Sequence, residues 1–314
     1  MNPRVEFDLS IFRSNIQNLK DKTKNINYLF PVKCCKHSSV LEIIKDSGFG
    51  FDISNKKEFS QIKQYLNNQF ISVSGPTSYE LSDCKYDNIH IVSNNLESYK
   101  ENNGLRINFN SNNLFRYSRF GVDYKIIDED LRNKLTYIHF HSSDYKDMNM
   151  CKCIYEEIKE VLKYFPNIKI LNIGGHIEHL TFEEGIEYLN NIRNIVPDNI
   201  EVYAELGDFL FKNTGTLYSK VVDIRNDVDM QQVTLNFIKM ANQRWTYPEY
   251  VPKSKNLVKT IFYGSSCCES DIYLETYADR LNIGDEIIFK NISPYSYEWN
   301  VSFSGEDKLE YIFK

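Results

Sequence analysis

Tyr28-Leu29-Phe30-Pro31-Val32-Lys33 is a short β-forming run that ends on a lysine, and apolar residues at helical spacing follow it through 39–46. The same alternation recurs down two thirds of the chain. Further strand-like runs lie at 49–53, 70–73, 89–92, 105–109, 137–141, 168–173 and 202–205, and helix-like stretches at 56–66, 154–165 and 182–195. With residues 28–33 this makes eight strands, a count that fits a closed parallel (β/α)8 barrel better than an open doubly wound sheet.

Beyond Gly207 the pattern changes. The runs at 217–224, 232–240, 257–263, 285–292 and 301–303 are β-like and lack long intervening helices, which predicts a C-terminal antiparallel β domain. The expected organisation is α/β. Residues 1–24 form a strand and a helix, with the strand able to join the β domain; residues 25–214 form the barrel, and residues 215–314 the β domain.

Composition narrows the function. Of 314 residues, 42% are apolar and 25% charged, the balance of a globular chain rather than a disordered one. Lys and Arg number 37 against 43 Asp and Glu, a net charge of −6, and no basic block occurs. A nucleic-acid groove or a polybasic membrane anchor therefore has no electrostatic support, and a small-molecule partner is expected. No run approaches a membrane span, and the opening Met1-Asn2-Pro3-Arg4 lacks the apolar stretch of a signal peptide, so the cytoplasm is expected. Seven cysteines, with adjacent pairs at 34–35 and 267–268, do not form a secreted disulfide pattern, and none sits at zinc-ligand spacing. Free thiols and no metal are expected.

Chemistry in such barrels collects at the C-terminal ends of the strands, where Lys33 stands. A lysine against the barrel interior is expected to have a depressed pKa, and a neutral amine can form a Schiff base with a carbonyl cofactor or substrate. Position alone favours a solvated strand-terminal lysine.

Motifs in chain order decide between these. The Lys33 run, then Gly50-Phe51-Asp52-Ile53-Ser54 through Glu58, Leu105-Arg106-Ile107, Ser118-Arg119-Phe120-Gly121 and His139-Phe140-His141-Ser142-Ser143 come in that order. Gly174-Gly175-His176, Glu205-Leu206-Gly207-Asp208, Gly264-Ser265-Ser266-Cys267, Gly284-Asp285 and Pro294-Tyr295-Ser296 follow. Together they resemble the barrel-type pyridoxal-phosphate decarboxylases, the family of ornithine, arginine and diaminopimelate decarboxylases, across nearly the whole chain.

The resemblance implies a decarboxylase with pyridoxal 5'-phosphate held on Lys33. It implies that Glu205 keeps the cofactor's ring nitrogen protonated, that His141 stacks on the ring, and that Asp52 and Arg106 stand nearby. Gly174, Gly175, His176 and Gly207, with Tyr295 from the β domain, are the implied phosphate binders. His176 replaces a third glycine and Asp208 replaces an arginine, so Arg106, Arg119 or His176 is expected to supply the missing positive charge. His139 is expected to be a core histidine turned away from His141. The family also implies a homodimer with shared active sites, in which Cys267 reaches the partner's site as proton donor. The flanking Gly264 and Asp271 favour Cys267; matching Cys-Glu-Ser selects Cys268 instead.

Substrate-facing candidates are Arg244, Cys268, Glu269 and Asp271. Ornithine-type members carry an aspartate directly after the cysteine, where this chain has Cys268, and Asn242-Gln243-Arg244-Trp245 offers amides and a cation. The expected substrate is an amino acid whose far end is modified or carboxylated, with ornithine, lysine or diaminopimelate as the fallback. An amino-acid racemase on the same barrel and a catalytically inactive relative are the competing readings.

Overall fold

A computed structural model describes residues 2–82, 84, 86–109, 118–142, 144, 146–305 and 307–314. Ser143 of the His-Phe-His motif lies outside the described residues. The chain forms two compact units, residues 16–210 and residues 1–15 with 211–314.

Strand β1 (Arg4–Phe7) and helix α1 (Leu9–Lys22) open the chain, and the division between units falls within α1. The larger unit then runs β2 (Ile26–Pro31), α2 (Ser38–Ser47), β3 (Gly50–Ile53), α3 (Lys56–Ile62), β4 (Ile71–Val73), β5 (Ile89–Ser93), β6 (Gly104–Asn108) and β7 (Val122–Asp123). It continues with α4 (Glu129–Lys134), β8 (Tyr137–Phe140), α5 (Met148–Tyr164), β9 (Ile170–Asn172), α6 (Phe182–Ile195) and β10 (Glu201–Glu205). Every pairing in this sheet is parallel. Strand β10 pairs with β2 and β5 pairs with β6, which closes an eight-stranded barrel, with β7 added outside on β6. All eight expected barrel strands are present.

Local chemistry explains where the helices begin. The Asn55 side chain accepts from the Lys57 and Glu58 N–H groups at the start of α3, and Asp147 does the same for Asn149 and Met150 at α5. At α6, Thr181 and Glu184 form a capping box. Ile154, Ile158 and Val161 of α5 and Ile186, Leu189 and Ile192 of α6 recur at three- and four-residue spacing, and all are buried.

The second unit is a sheet in the order β13-β16-β11-β12-β14-β15, built from β11 (Gly215–Asn226), β12 (Met230–Leu235), β13 (Glu249–Tyr250), β14 (Leu257–Tyr263), β15 (Ile272–Asp279) and β16 (Glu286–Lys290). The N-terminal β1 joins it, antiparallel to β11 and parallel to β17 (Glu310–Phe313). Because β12 and β14 also run parallel, the sheet is mixed rather than wholly antiparallel. Residues 301–303 form no strand, whereas β13, β15 and β17 are strands that the spacing did not announce. Two short helices, α7 (Lys239–Asn242) and α8 (Tyr295–Trp299), complete the unit. Its core is aromatic, with Phe262, Tyr273 and Phe289 meeting edge to face at about 5 Å.

Candidate active site

Lys33 follows β2 by two residues, and its Nζ lies 3.0 Å from Oδ2 of Asp52 on β3. Asp52 is fully buried and also accepts from Ser74 Oγ at 2.8 Å. Burial by itself lowers the affinity of Lys33 for its proton, but the carboxylates of Asp52, Glu205 and Glu58 outweigh burial and raise it. The amine is thus an ammonium, not the neutral group that burial alone predicts. The reason is that β3 and β10, the strands on either side of β2, carry Asp52 and Glu205 to the end where Lys33 stands, with Glu58 on α3 adding to them. Asp52 is correspondingly pushed up to about 6, first by burial and then by Glu205, against the pull of Lys33.

Glu205 closes β10 and is buried, where a lone carboxylate is costly. It is not alone. Oε1 is 2.9 Å from His139 Nε2 and accepts from Asn172 Nδ2 at 2.9 Å, while Oε2 lies 3.6 Å from His141 Nδ1. Burial works to raise this carboxyl, but the two histidines win and hold it well below the usual carboxylate range. His141 Nδ1 also lies 3.3 Å from the Gly175 N–H. Burial holds that ring neutral, its pKa carried down to about 3.

His139 departs from expectation. It sits two residues before His141, and residues two apart on a strand share a face, so the two rings are near parallel, 6° apart with centroids at 6.4 Å. Both histidines therefore reach Glu205. Sequence reasoning also passed over Asn172, whose parity on β9 with Gly174 was the available signal.

The loop after β9 is tightly built. A Cβ on Gly174 would lie 2.5 Å from Phe140 O, and one on Gly175 only 2.0 Å from Glu205 O. Gly174 and His176 are both left-handed, each at φ 63°. Gly207 packs on Cys34 and Pro31. Of the cations expected to compensate for Asp208, Arg106 donates to His141 O at 3.0 Å and Arg119 lies over the Phe120 ring. His176 Nδ1 is 2.6 Å from Glu178 Oε1. Glu178 is driven down to about 2, His176 overcoming the effect of burial. His176, Glu178 and His179 also bring three metal-ligand atoms within 4.8 Å of one another, a cluster that the sequence reading did not single out.

The second unit carries the remaining candidates. Cys267 and Cys268 are exposed thiols on the turn before β15, and Glu269 is exposed beside them. Asp271 is fully buried and accepts from Met240 N at 2.8 Å and Ser266 N at 3.4 Å, which braces that turn. Arg244 lies between two indoles, 5.0 Å from the Trp245 ring and 4.8 Å from that of Trp299. Tyr295 meets Trp245 edge to face.

Residues 9–77, which include Lys33 and Asp52, match the family described as "Pyridoxal-dependent decarboxylase, pyridoxal binding domain". A carboxynorspermidine/carboxyspermidine decarboxylase of Campylobacter jejuni is 24% identical over 88% of this chain and 83% of that protein. Among solved structures, the arginine decarboxylase of Paramecium bursaria Chlorella virus superposes with a TM-score of 0.81 at 18% identity, covering 100% of this chain and 96% of the other. The carboxynorspermidine decarboxylase of Campylobacter jejuni complexed with norspermidine superposes with a TM-score of 0.74 at 21% identity, covering 97% and 92%. These findings agree with the family recognised from the motifs.

Proposed function

We propose that this chain, a pyridoxal-phosphate-dependent amino-acid decarboxylase of the barrel type, takes as substrate an amino acid whose far end is extended into a polyamine chain rather than free ornithine or lysine. The observation that carries the decarboxylase reading is the meeting, at one barrel end, of the Lys33 amine with Glu205, a buried carboxylate kept ionised by His139 and His141. Two further observations support the substrate class. One is the similarity to a carboxynorspermidine/carboxyspermidine decarboxylase. The other is Cys268, which stands where ornithine-type members carry the aspartate that pairs with a short substrate's distal ammonium.

The residues present fit the cofactor: an amine, a buried anion, a neutral imidazole and a glycine loop. Lys33 would hold its carbonyl carbon, Glu205 Oε2 its ring nitrogen, and His141 its ring face, with Asp52 and Arg106 close by. Gly174, Gly175, His176 and Gly207 would take its phosphate. When bound, pyridoxal phosphate supplies an electron sink for the pair left as carbon dioxide departs. Glu205 keeps a proton on the ring nitrogen by remaining an anion beside it. The neutral His141 confines the ring without competing for that proton. Asp52 keeps the Lys33 amine protonated whenever it is released.

In this reading the protein works as a homodimer, Cys267 crosses to the other subunit's site, and its Sγ returns a proton to the carbon that lost the carboxylate. Cytoplasmic placement accords with seven cysteines left as free thiols. No helix among the described residues is long and apolar enough to cross a membrane.

Carbon dioxide release over ornithine, lysine, arginine, diaminopimelate, carboxyspermidine and carboxynorspermidine tests the substrate class. Carboxylated polyamines should lead in kcat/KM by about tenfold or more, the scale expected when a distal group meets or lacks its partner. Preference for free ornithine or lysine overturns it. Borohydride reduction in the presence of cofactor should leave a pyridoxyl adduct on the Lys33 peptide; an adduct elsewhere, or none, removes the basis of the reading.

A further inference from the structure

Lys146 belongs to no motif and to none of the roles above, yet it is the only lysine among the buried described residues, at 1% exposure. Its ammonium donates to three carbonyls, Ser142 O at 2.9 Å, Gly175 O at 2.9 Å and His176 O at 3.2 Å. Among the described residues no carboxylate comes within ion-pair distance of it. A buried cation whose hydrogen bonds go only to carbonyls is costly to keep, and burial, against the more distant pull of Glu178 and Asp144, carries its pKa down to about 8.

Its contacts set the direction of the loop. A trans peptide points its N–H opposite its C=O, and no described peptide is cis. With the Gly175 and His176 carbonyls turned to Lys146, the N–H groups of His176 and Ile177 leave the loop on the opposite side. Among the described residues neither has an acceptor. Gly174 and His176 are left-handed and Gly175 between them is not, an alternation that shapes successive N–H groups into a concavity for an anion.

The charges around the loop otherwise oppose an anion. Glu178 lies within it, and both Glu178 and Asp208 act on Cys34, which touches Gly207. His176 is bound to Glu178, Arg106 to a carbonyl, and Arg119 lies on an aromatic ring.

We infer that Lys146 is the positioning residue for the cofactor's phosphate: from behind the loop it aims the His176 and Ile177 N–H groups at the phosphate and adds the positive charge that Glu178 and Asp208 counter. The inference rests on the cofactor reading above. It separates from that reading by comparing pyridoxal phosphate with pyridoxal, which lacks the phosphate.

The experiment is a spectroscopic titration giving dissociation constants for both compounds on the full chain and on K146M, K146Q and K146R. In the two neutral variants affinity for pyridoxal phosphate should fall about tenfold or more while affinity for pyridoxal stays within about threefold, the scale of lost charge-assisted hydrogen bonding. K146R should keep the original ratio. An unchanged ratio in a folded neutral variant, or equal loss for both compounds, overturns the inference and leaves the decarboxylase reading standing. If both neutral variants fail to fold while K146R folds, Lys146 is a structural brace and the inference is wrong. A wild-type protein that binds neither compound overturns the cofactor reading, and this inference with it.

Discussion

Asp52 Oδ2 and Lys33 Nζ are 3.0 Å apart, and of the two it is the carboxylate that is wholly buried, with the Lys33 side chain 41% exposed. The pair makes the lysine a cation at rest. Attachment of a carbonyl to Lys33 therefore requires loss of a proton that Asp52, Glu205 and Glu58 all help to retain.

Asp52→Asn should lower the pH at which Lys33 becomes reactive. Asp52 raises the lysine's proton affinity, so its removal frees the neutral amine at lower pH, with Glu205 and Glu58 still acting. The midpoint of pyridoxal phosphate attachment against pH, followed by absorbance, should fall by about one pH unit. A midpoint that stays put or rises contradicts the account.

The proposed sharing of sites between subunits is open to complementation. Lys33→Ala and Cys267→Ala should each be nearly inactive alone. Mixed under conditions of subunit exchange, they should regain about a quarter of wild-type activity, because half the dimers are mixed and each holds one complete site. Well-folded, exchanging mixtures that stay inactive rule out the arrangement.

Gly175→Ala tests the fit of the loop against β10. Its new Cβ would lie 2.0 Å from the Glu205 carbonyl oxygen, a backbone atom held in the barrel. Loss of about 1–3 kcal/mol of stability in urea is expected, with weakened cofactor binding as Glu205 shifts. Stability within about 0.5 kcal/mol of wild type would mean the loop has room that the structure denies it.

Glu178 gives a pH-dependent signature in stability. Its folded pKa of about 2 is below the ordinary value of 4.5, so its contribution is complete above about 4.5 and is lost as pH falls toward 2. Glu178→Gln should cost on the order of 1–3 kcal/mol at pH 6 and much less at pH 3, measured by urea unfolding at each pH. A cost that is the same at both pH values argues that the carboxylate's charge does not matter.

Sequence alone determined the barrel, because strand and helix signals are local: β-forming runs and apolar residues three and four apart declare themselves within a few positions. Lys33, Asp52, His141 and Glu205 were legible as candidates through the resemblance that their motifs, taken in chain order, bear to a known family. Strands β15 and β17 were less legible, since their faces are half exposed and their apolar residues interrupted. Only the tertiary structure decided protonation and partnership. Lys33 is charged because carboxylates from β3 and β10 converge on it, His139 joins Glu205 because barrel closure brings β8 and β10 to opposite sides of β9, and Lys146 meets the glycine loop from a turn between β8 and α5. Burial and charge act through space between residues far apart in the chain, and no local spacing carries that information.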